Sequence, residues 1–183
     1  MKTTIRDRNN IVAEKSVSEQ LVLESGVTLE SNVTKSNVYV TKITLAATTF
    51  AVANASLGFG KKLFTFPKGN VHVLAAHLDL TYASSVANTI QADIGIGTVI
   101  ASGVVAVLSG TATFEDIIDG ITATAFNGVT AVNYEANKTA EVDIKDGAST
   151  AKAAHLNVAG AWTGVTGDLT YSGVVTLIWA IVQ

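Results

Sequence analysis

The chain has 183 residues, a net charge of −3 and no cysteine, and this length fits one domain, or one domain with an arm. The acidic balance argues against a nucleic-acid-binding protein, and the lack of cysteine excludes disulfides, thiolate metal sites and thiol catalysis. Only 15% of the residues are charged, against about 25% in an average soluble protein, so we expect a surface that is largely neutral or covered by partners.

The N-terminal 42 residues carry more charge than the rest of the chain, and their apolar residues stand singly or in short groups. These apolar side chains are too few to build a core. We therefore predict an N-terminal arm over residues 1–42, extended or partly helical, that gains structure by lying on a neighbour. A β-domain is predicted over residues 43–183. The arm residues that we expect at an interface are Arg6, Arg8, Ile11, Val12, Leu21 and Leu23.

From Val38 the pattern becomes strand-like, with runs at 38–45, 49–52 and 62–66. The sequence Phe66-Pro67-Lys68-Gly69 then suits a type I turn. A long strand is predicted over 71–82, and we expect it to pair with the run at 62–66 as a hairpin because the turn lies directly between them. The predicted core row of this strand is Leu74, Ala76, Leu78, Leu80 and Tyr82.

The stretch from Ile94 to Phe114 contains no charged residue and reaches the length of a membrane span. Its four glycines and five threonines and serines favour buried strands with turns instead, and we predict no membrane association. Thr113-Phe-Glu-Asp116 then matches a capping box, and the isoleucines that follow predict one short helix or a single turn.

The remaining apolar runs are short, rich in β-branched residues and separated by turn signals such as Asn127-Gly128 and Asp146-Gly147. Eight or more short strands without alternating helices predict an all-β fold. The architecture that we expect is a jelly-roll-like β-sandwich with an extended N-terminal arm.

The last fifteen residues, 169–183, carry no charge and alternate like a strand. One row of this strand is apolar, with Gly173 in its middle; its members are Leu169, Tyr171, Val175, Leu177, Trp179 and Ile181. The opposite row begins polar and becomes apolar, so we predict burial on both faces. A sandwich strand needs only one buried face, and we therefore expect an arm, another sheet or another subunit to pack on the second. The expected contact residues are Ile178, Ala180 and Val182.

No group of residues has the spacing of a catalytic or metal site. His72 and His77 are five residues apart on one predicted strand, which puts them on opposite faces. The acidic residues of the central region suit a cation, a basic partner or a solvated helix start; they are Asp93, Glu115, Asp116 and Asp119. The glycine-rich stretches lack a phosphate-loop pattern, and no G-x-S-x-G elbow occurs. We predict no enzyme activity, no cofactor and no metal.

The sequence contains a predicted hairpin at Lys62–Ala76, an apolar strand at His155–Ala159 and a closing strand at Leu169–Trp179. In this order they resemble small virion proteins of tailed bacteriophages, of the capsid decoration or cement type, and the similarity extends from about Thr44 to the end of the chain. The resemblance implies a β-sandwich on the outer capsid surface of the virion, commonly a homotrimer, that locks subunits of the major capsid protein together. Residues 1–42 lie outside it.

Two other functions are open alternatives. One is a structural component of a phage tail or baseplate. The other is a carbohydrate-binding jelly roll for host recognition, for which two tryptophans and four tyrosines are a small supply of aromatic side chains.

Under the decoration hypothesis, the second row of the last strand contacts the arm, a trimer mate or the shell.

Overall fold

The fold is described from a computed structural model of the chain. The structure describes residues 5–7, 10–13, 27–33, 38–52, 57–85, 91–103, 105–122, 132–137, 142–144, 152–161 and 167–182. Within these ranges the chain forms twelve strands and two short 3₁₀ turns, Leu108–Gly110 and Ala112–Phe114. The strands are β1 (Ile5–Asp7), β2 (Asn10–Ala13), β3 (Val27–Val33), β4 (Val38–Val52), β5 (Gly58–Thr65), β6 (Asn70–Ser84), β7 (Asp93–Gly97), β8 (Ile118–Thr122), β9 (Val132–Asn137), β10 (Val142–Ile144), β11 (Ala153–Ala159) and β12 (Gly167–Val182).

Two antiparallel sheets build the domain. One has six strands in the order β10-β6-β12-β4-β3, with β9 also pairing with β6, and the other has four in the order β5-β11-β7-β8. The predicted all-β fold is therefore confirmed, with two sheets as in a sandwich. The jelly-roll connectivity stays a prediction.

The apolar faces of both sheets contribute to one core, which lies between them. An aromatic group forms part of it. The indole of Trp179 stacks on Tyr39 with ring centroids 4.3 Å apart and lies against Phe64 and Phe66. Its Nε1 donates a hydrogen bond to Oγ1 of Thr41 at 2.9 Å. This buried N–H is thereby satisfied, as a tryptophan in a core requires.

β12 is central in the six-stranded sheet and pairs with β4 on one side and β6 on the other. Its predicted core row is confirmed except at the end, where Ile181 is 36% exposed. The opposite row, from Thr170 to Ala180, is half-buried. That row lies on the outer face of the sheet, because the core occupies the inner face. Its complete burial would need the arm or a partner to lie on this face.

β6 contains a β-bulge at Leu74, where the register against β12 shifts by one residue. Odd-numbered residues are buried before the bulge and even-numbered residues after it. Because such a shift exchanges the two faces of a strand, the predicted core row is confirmed from Ala76 to Tyr82. It is wrong at Leu74, which is half-buried.

The bulge also changes the placement of the two histidines on β6. His72 pairs opposite Ala180 and His77 opposite Thr176, so both lie on the outer face. The prediction that they lie on opposite faces is wrong. Four residues of β12 separate the two positions, about 13 Å along the strand, which is too far for a shared metal ion.

β5 and β6 do not form the predicted hairpin. The segment 66–69 connects them, but β5 pairs with β11 and β6 pairs with β12, in different sheets. The turn therefore leads the chain from one sheet to the other. Local turn chemistry predicts where the chain bends but not which neighbouring strand completes the hydrogen-bonded ladder.

The predicted capping box gives a single 3₁₀ turn, Ala112–Phe114, rather than a helix. Strand β8 contains Ile118 and Ile121. These are two of the isoleucines whose spacing suggested a short helix. Of the buried strands predicted between Ile94 and Phe114, the structure describes only β7, because the described residues from Thr98 to Ile117 form a loop with two 3₁₀ turns.

Part of the region assigned from the sequence to the arm pairs with the domain. β3 and the first residues of β4, 38–42, lie in the six-stranded sheet. β1 and β2 pair only with each other and belong to neither large sheet. We call these two strands the β1–β2 hairpin.

Candidate interaction surfaces

The outer face of the six-stranded sheet is apolar over part of its surface. On β12, Ile178 lies opposite Val40 of β4 and Ala75 of β6, and Ala180 lies opposite Val38. All five residues are half-buried in the single chain. We call them the apolar outer patch. An apolar patch on a strand that is already paired at both edges can only be covered from above, by a partner that lies on the sheet.

Beyond the apolar outer patch, the same face becomes polar. Thr176 stands between Lys42 and His77, and Val174 lies opposite Asp79. Lys42 and Asp79 each have a glutamate opposite them on the flanking strand, Glu30 of β3 and Glu135 of β9, so acidic positions outnumber basic ones on this part of the face. A partner for the whole face therefore needs apolar atoms over one part and polar or basic groups over the other.

The structure brings together two of the predicted interface residues, Ile178 and Ala180, on one described surface. Val182 ends β12 opposite Asn70. The predicted arm residues within the described strands are Arg6 in β1 and Ile11 and Val12 in β2. Outside the described residues lie Arg8, Leu21 and Leu23. Contact between the arm and the outer face stays a prediction.

A second surface, which the sequence did not predict, is the loop between β7 and β8, here called the β7–β8 loop (residues 98–117). Its exposed apolar side chains are Val99 (41%), Ile100 (45%) and Val107 (53%). Beneath it lies a small buried cluster formed by Ala101, Leu108, Phe114 and Ala159. The apolar residues of this charge-poor stretch are thus divided between a core below and an exposed surface above.

Asn157 on β11 holds the β7–β8 loop from below. Its side chain is fully buried. Nδ2 donates to the carbonyl oxygens of Val99 and Phe114 at 2.8 and 2.7 Å, and Oδ1 accepts from the N–H of Ala101 at 2.9 Å. One carboxamide therefore satisfies three backbone groups at three points of the loop and fixes them relative to the strand.

Two carboxylates fix further points of the loop. Asp116 accepts hydrogen bonds from the N–H and the hydroxyl of Thr98 at 2.7 and 2.6 Å, which joins the two ends of the loop. Asp93 of β7 accepts the N–H of Leu108 through Oδ2 at 2.7 Å. The carbonyl oxygen of Gly103 accepts two N–H groups at the start of β5. A loop held at so many points is preorganised for binding.

Asp93 and Glu115 face each other beside Gly120. Asp93 is only 8% exposed, and its Oδ1 has no hydrogen-bond partner among the described residues. Oε2 of Glu115 accepts the N–H of Gly120 at 2.7 Å. A Cβ on residue 120 would lie 2.5 Å from Oδ1 of Asp93 and 2.7 Å from Oε2 of Glu115. A side chain at this position would therefore displace both carboxylates. Burial, and then the charges of Asp93 and Asp119, raise the pKa of Glu115, although the bond from Gly120 opposes this.

We expect Glu115→Gln to raise the free energy of unfolding at pH 7 by about 1 kcal/mol. A glutamine keeps an oxygen for the N–H of Gly120, offers an N–H to Oδ1 of Asp93, and removes the repulsion between two carboxylates. The raised pKa of Glu115 means that the folded state binds its proton more tightly than the unfolded state. Wild-type stability therefore falls as the pH rises from the ordinary range of a glutamate through the raised pKa, and the variant lacks this fall.

Urea unfolding of both proteins across this pH range measures the effect. Asp119→Asn is the matched control, because it removes a nearby exposed carboxylate without placing a donor beside Asp93. An equal gain in the control, or a loss of stability in Glu115→Gln, would contradict the stated role of this pair.

The described residues contain no group of three or more histidine, cysteine, aspartate or glutamate side chains that could hold a metal ion. Among the helical turns of the same ranges, none is long and apolar enough to cross a membrane. Burial lowers the pKa of His155 below its usual range, which favours the uncharged ring. What the two surfaces offer to a partner is shape, apolar area and charge.

No family model matches the chain, and no curated protein or solved structure matches it either.

Proposed function

We propose that the protein is a structural protein of a tailed-bacteriophage virion, which decorates the outer capsid surface and bridges subunits of the major capsid protein as a homotrimer. The observation that supports this proposal best is the apolar outer patch. Its residues lie on three adjacent paired strands, face away from the core and are only half-buried in the single chain. A sheet face of this kind suits binding over a broad area, as on a protein shell.

The dimensions of the face agree with such a contact. β4 and β6 have fifteen residues each and β12 has sixteen. With the usual strand rise and spacing, three such strands cover about 50 Å by 14 Å, or about 700 Å². A stable interface buries about 800 Å² on each partner. The three long strands with part of their neighbours are therefore large enough to hold the protein on a capsid without a deep pocket.

The experiment uses capsids of the encoding phage that lack the protein, mixed with the purified chain. We expect saturable binding, hundreds of copies per particle by quantitative mass spectrometry, and density on the outer surface by electron cryomicroscopy. Ile178→Lys places a charge in the apolar outer patch without touching the core and is expected to abolish binding. Gln91→Lys is the matched control, because it adds the same charge at an exposed residue that precedes β7 of the other sheet.

Circular dichroism of both variants checks that each remains folded. Wild-type binding by folded Ile178→Lys would exclude the apolar outer patch as the capsid contact. A copy number of only a few per virion would contradict a decoration role and indicate a tail or baseplate component.

A further inference from the structure

The β7–β8 loop has the properties of a docking site separate from the outer sheet face. Val99, Ile100 and Val107 are exposed by 41, 45 and 53%, on backbone that buried Asn157 and Asp93 hold in place. Apolar side chains on a preordered backbone bind with little further loss of conformational entropy. Exposed apolar side chains on one fixed loop suit a contact surface.

The charge around this loop limits what can bind there. From Asp93 to Asp119 the chain carries four carboxylates and neither lysine nor arginine. Asp119 is exposed. A segment that fits the loop therefore combines apolar side chains with positive charge, because like charges brought together at an interface oppose binding.

The β1–β2 hairpin has the complementary chemistry. Residues 1–13 carry three basic side chains and one acidic side chain, and their branched apolar residues are Ile5, Ile11 and Val12. The two strands pair only with each other, and a two-stranded hairpin is at best marginally stable alone in water. The hairpin therefore gains stability from any surface that covers its apolar side chains.

We infer that the β1–β2 hairpin of one copy of this chain docks on the β7–β8 loop of a second copy. Val99, Ile100 and Val107 are exposed beside the described part of the chain, which leaves them accessible to a second copy. The exchanged hairpin adds apolar contact at these residues and ionic contact near Asp119. This inference rests on the self-association proposed above and is independent of the capsid contact.

Engineered cysteines test the contact directly, because the chain contains no cysteine of its own. Asn9→Cys lies between β1 and β2, and Val107→Cys lies on the loop. When the two single variants are mixed under mild oxidation, we expect a covalent heterodimer to form at least tenfold faster than with Lys68→Cys in place of Val107→Cys. Lys68 is exposed in the turn between β5 and β6 and serves as the matched control.

Equal crosslinking to both positions, or none to Val107→Cys, would overturn the inference. So would a double variant, Asn9→Cys with Val107→Cys, that closes its disulfide within one chain, because the hairpin would then dock on its own loop. As a second measurement, Val107→Asp is expected to weaken self-association at least tenfold in sedimentation velocity, and Lys68→Asp to leave it unchanged. Unaltered self-association of Val107→Asp would contradict the contact.

The two proposals fail in different experiments. Loss of the crosslink with normal capsid binding rejects the exchanged hairpin and leaves the decoration role intact. A specific crosslink with no capsid binding rejects the decoration role and leaves the self-contact.

Discussion

Asn157→Ala is expected to lower the free energy of unfolding by about 3 to 5 kcal/mol. The substitution leaves two buried groups, the N–H of Ala101 and the carbonyl oxygen of Phe114, and the part-buried carbonyl oxygen of Val99 without their partner. Each unsatisfied buried group costs about 1 to 3 kcal/mol, and the missing carboxamide leaves a small cavity. Because these groups lie at three points of the β7–β8 loop, we also expect the loop to open locally, with faster amide exchange at Ala101.

Urea unfolding and hydrogen exchange measure the two effects of Asn157→Ala. Asn70→Ala is the control, because Asn70 is exposed at the start of β6 and is expected to change stability by less than about 0.5 kcal/mol. Asn157→Asp keeps the acceptor for Ala101 but loses both donors and buries a charge, so it is expected to destabilise the protein at least as much. A loss below about 1 kcal/mol in Asn157→Ala would contradict the anchoring role.

The presence of a strand could be predicted where the signal, an alternation of residues between two faces, lies within that strand. The inner row of β12, from Leu169 to Trp179, is buried as its pattern indicates, because side chains in a strand alternate strictly between two faces. The second apolar row was equally visible in the sequence. The structure adds that this row lies on an outer sheet face beside Val40 and Ala75, which no local pattern contains.

Strand pairing was not predictable from the same signals. β5 and β6 are joined by a good turn sequence, yet they lie in different sheets, because distant strands such as β11 compete for the same edge. The bulge at Leu74 is a second example. One extra residue reverses the faces of β6 and places His72 and His77 on the same side, and nothing in the local sequence marks it.

The β7–β8 loop was missed because its apolar residues resemble strand segments. One signal was present in the sequence, since Asn157 interrupts an otherwise apolar run between Leu156 and Val158. A buried asparagine in a strand needs backbone partners from elsewhere in the chain. The acidic residues are visible in the sequence, but only the structure shows that Asp93 and Asp116 anchor the loop.

Gly173→Ala is expected to lower the free energy of unfolding by at least about 4 kcal/mol, or to prevent folding. Gly173 lies near the middle of β12 with φ +143°, a value that side chains other than glycine rarely adopt. A Cβ there would overlap the carbonyl oxygen of Asp79 and lie 2.9 Å from Cα of Leu80. Both are backbone atoms of β6, so relief of the overlap requires β12 and β6 to separate at the centre of the sheet.

Gly69→Ala separates the steric effect from the conformational one. Gly69 also has a positive φ, +115°, but nothing lies within 4 Å of a Cβ built there, so we expect a loss of only about 1 to 2 kcal/mol. Urea unfolding of the two variants gives the difference that is due to the close approach of β12 and β6. Equal losses would contradict that approach at Asp79. A larger loss at Gly173 would mean that the paired central strands, and with them the apolar outer patch, depend on a glycine at this position.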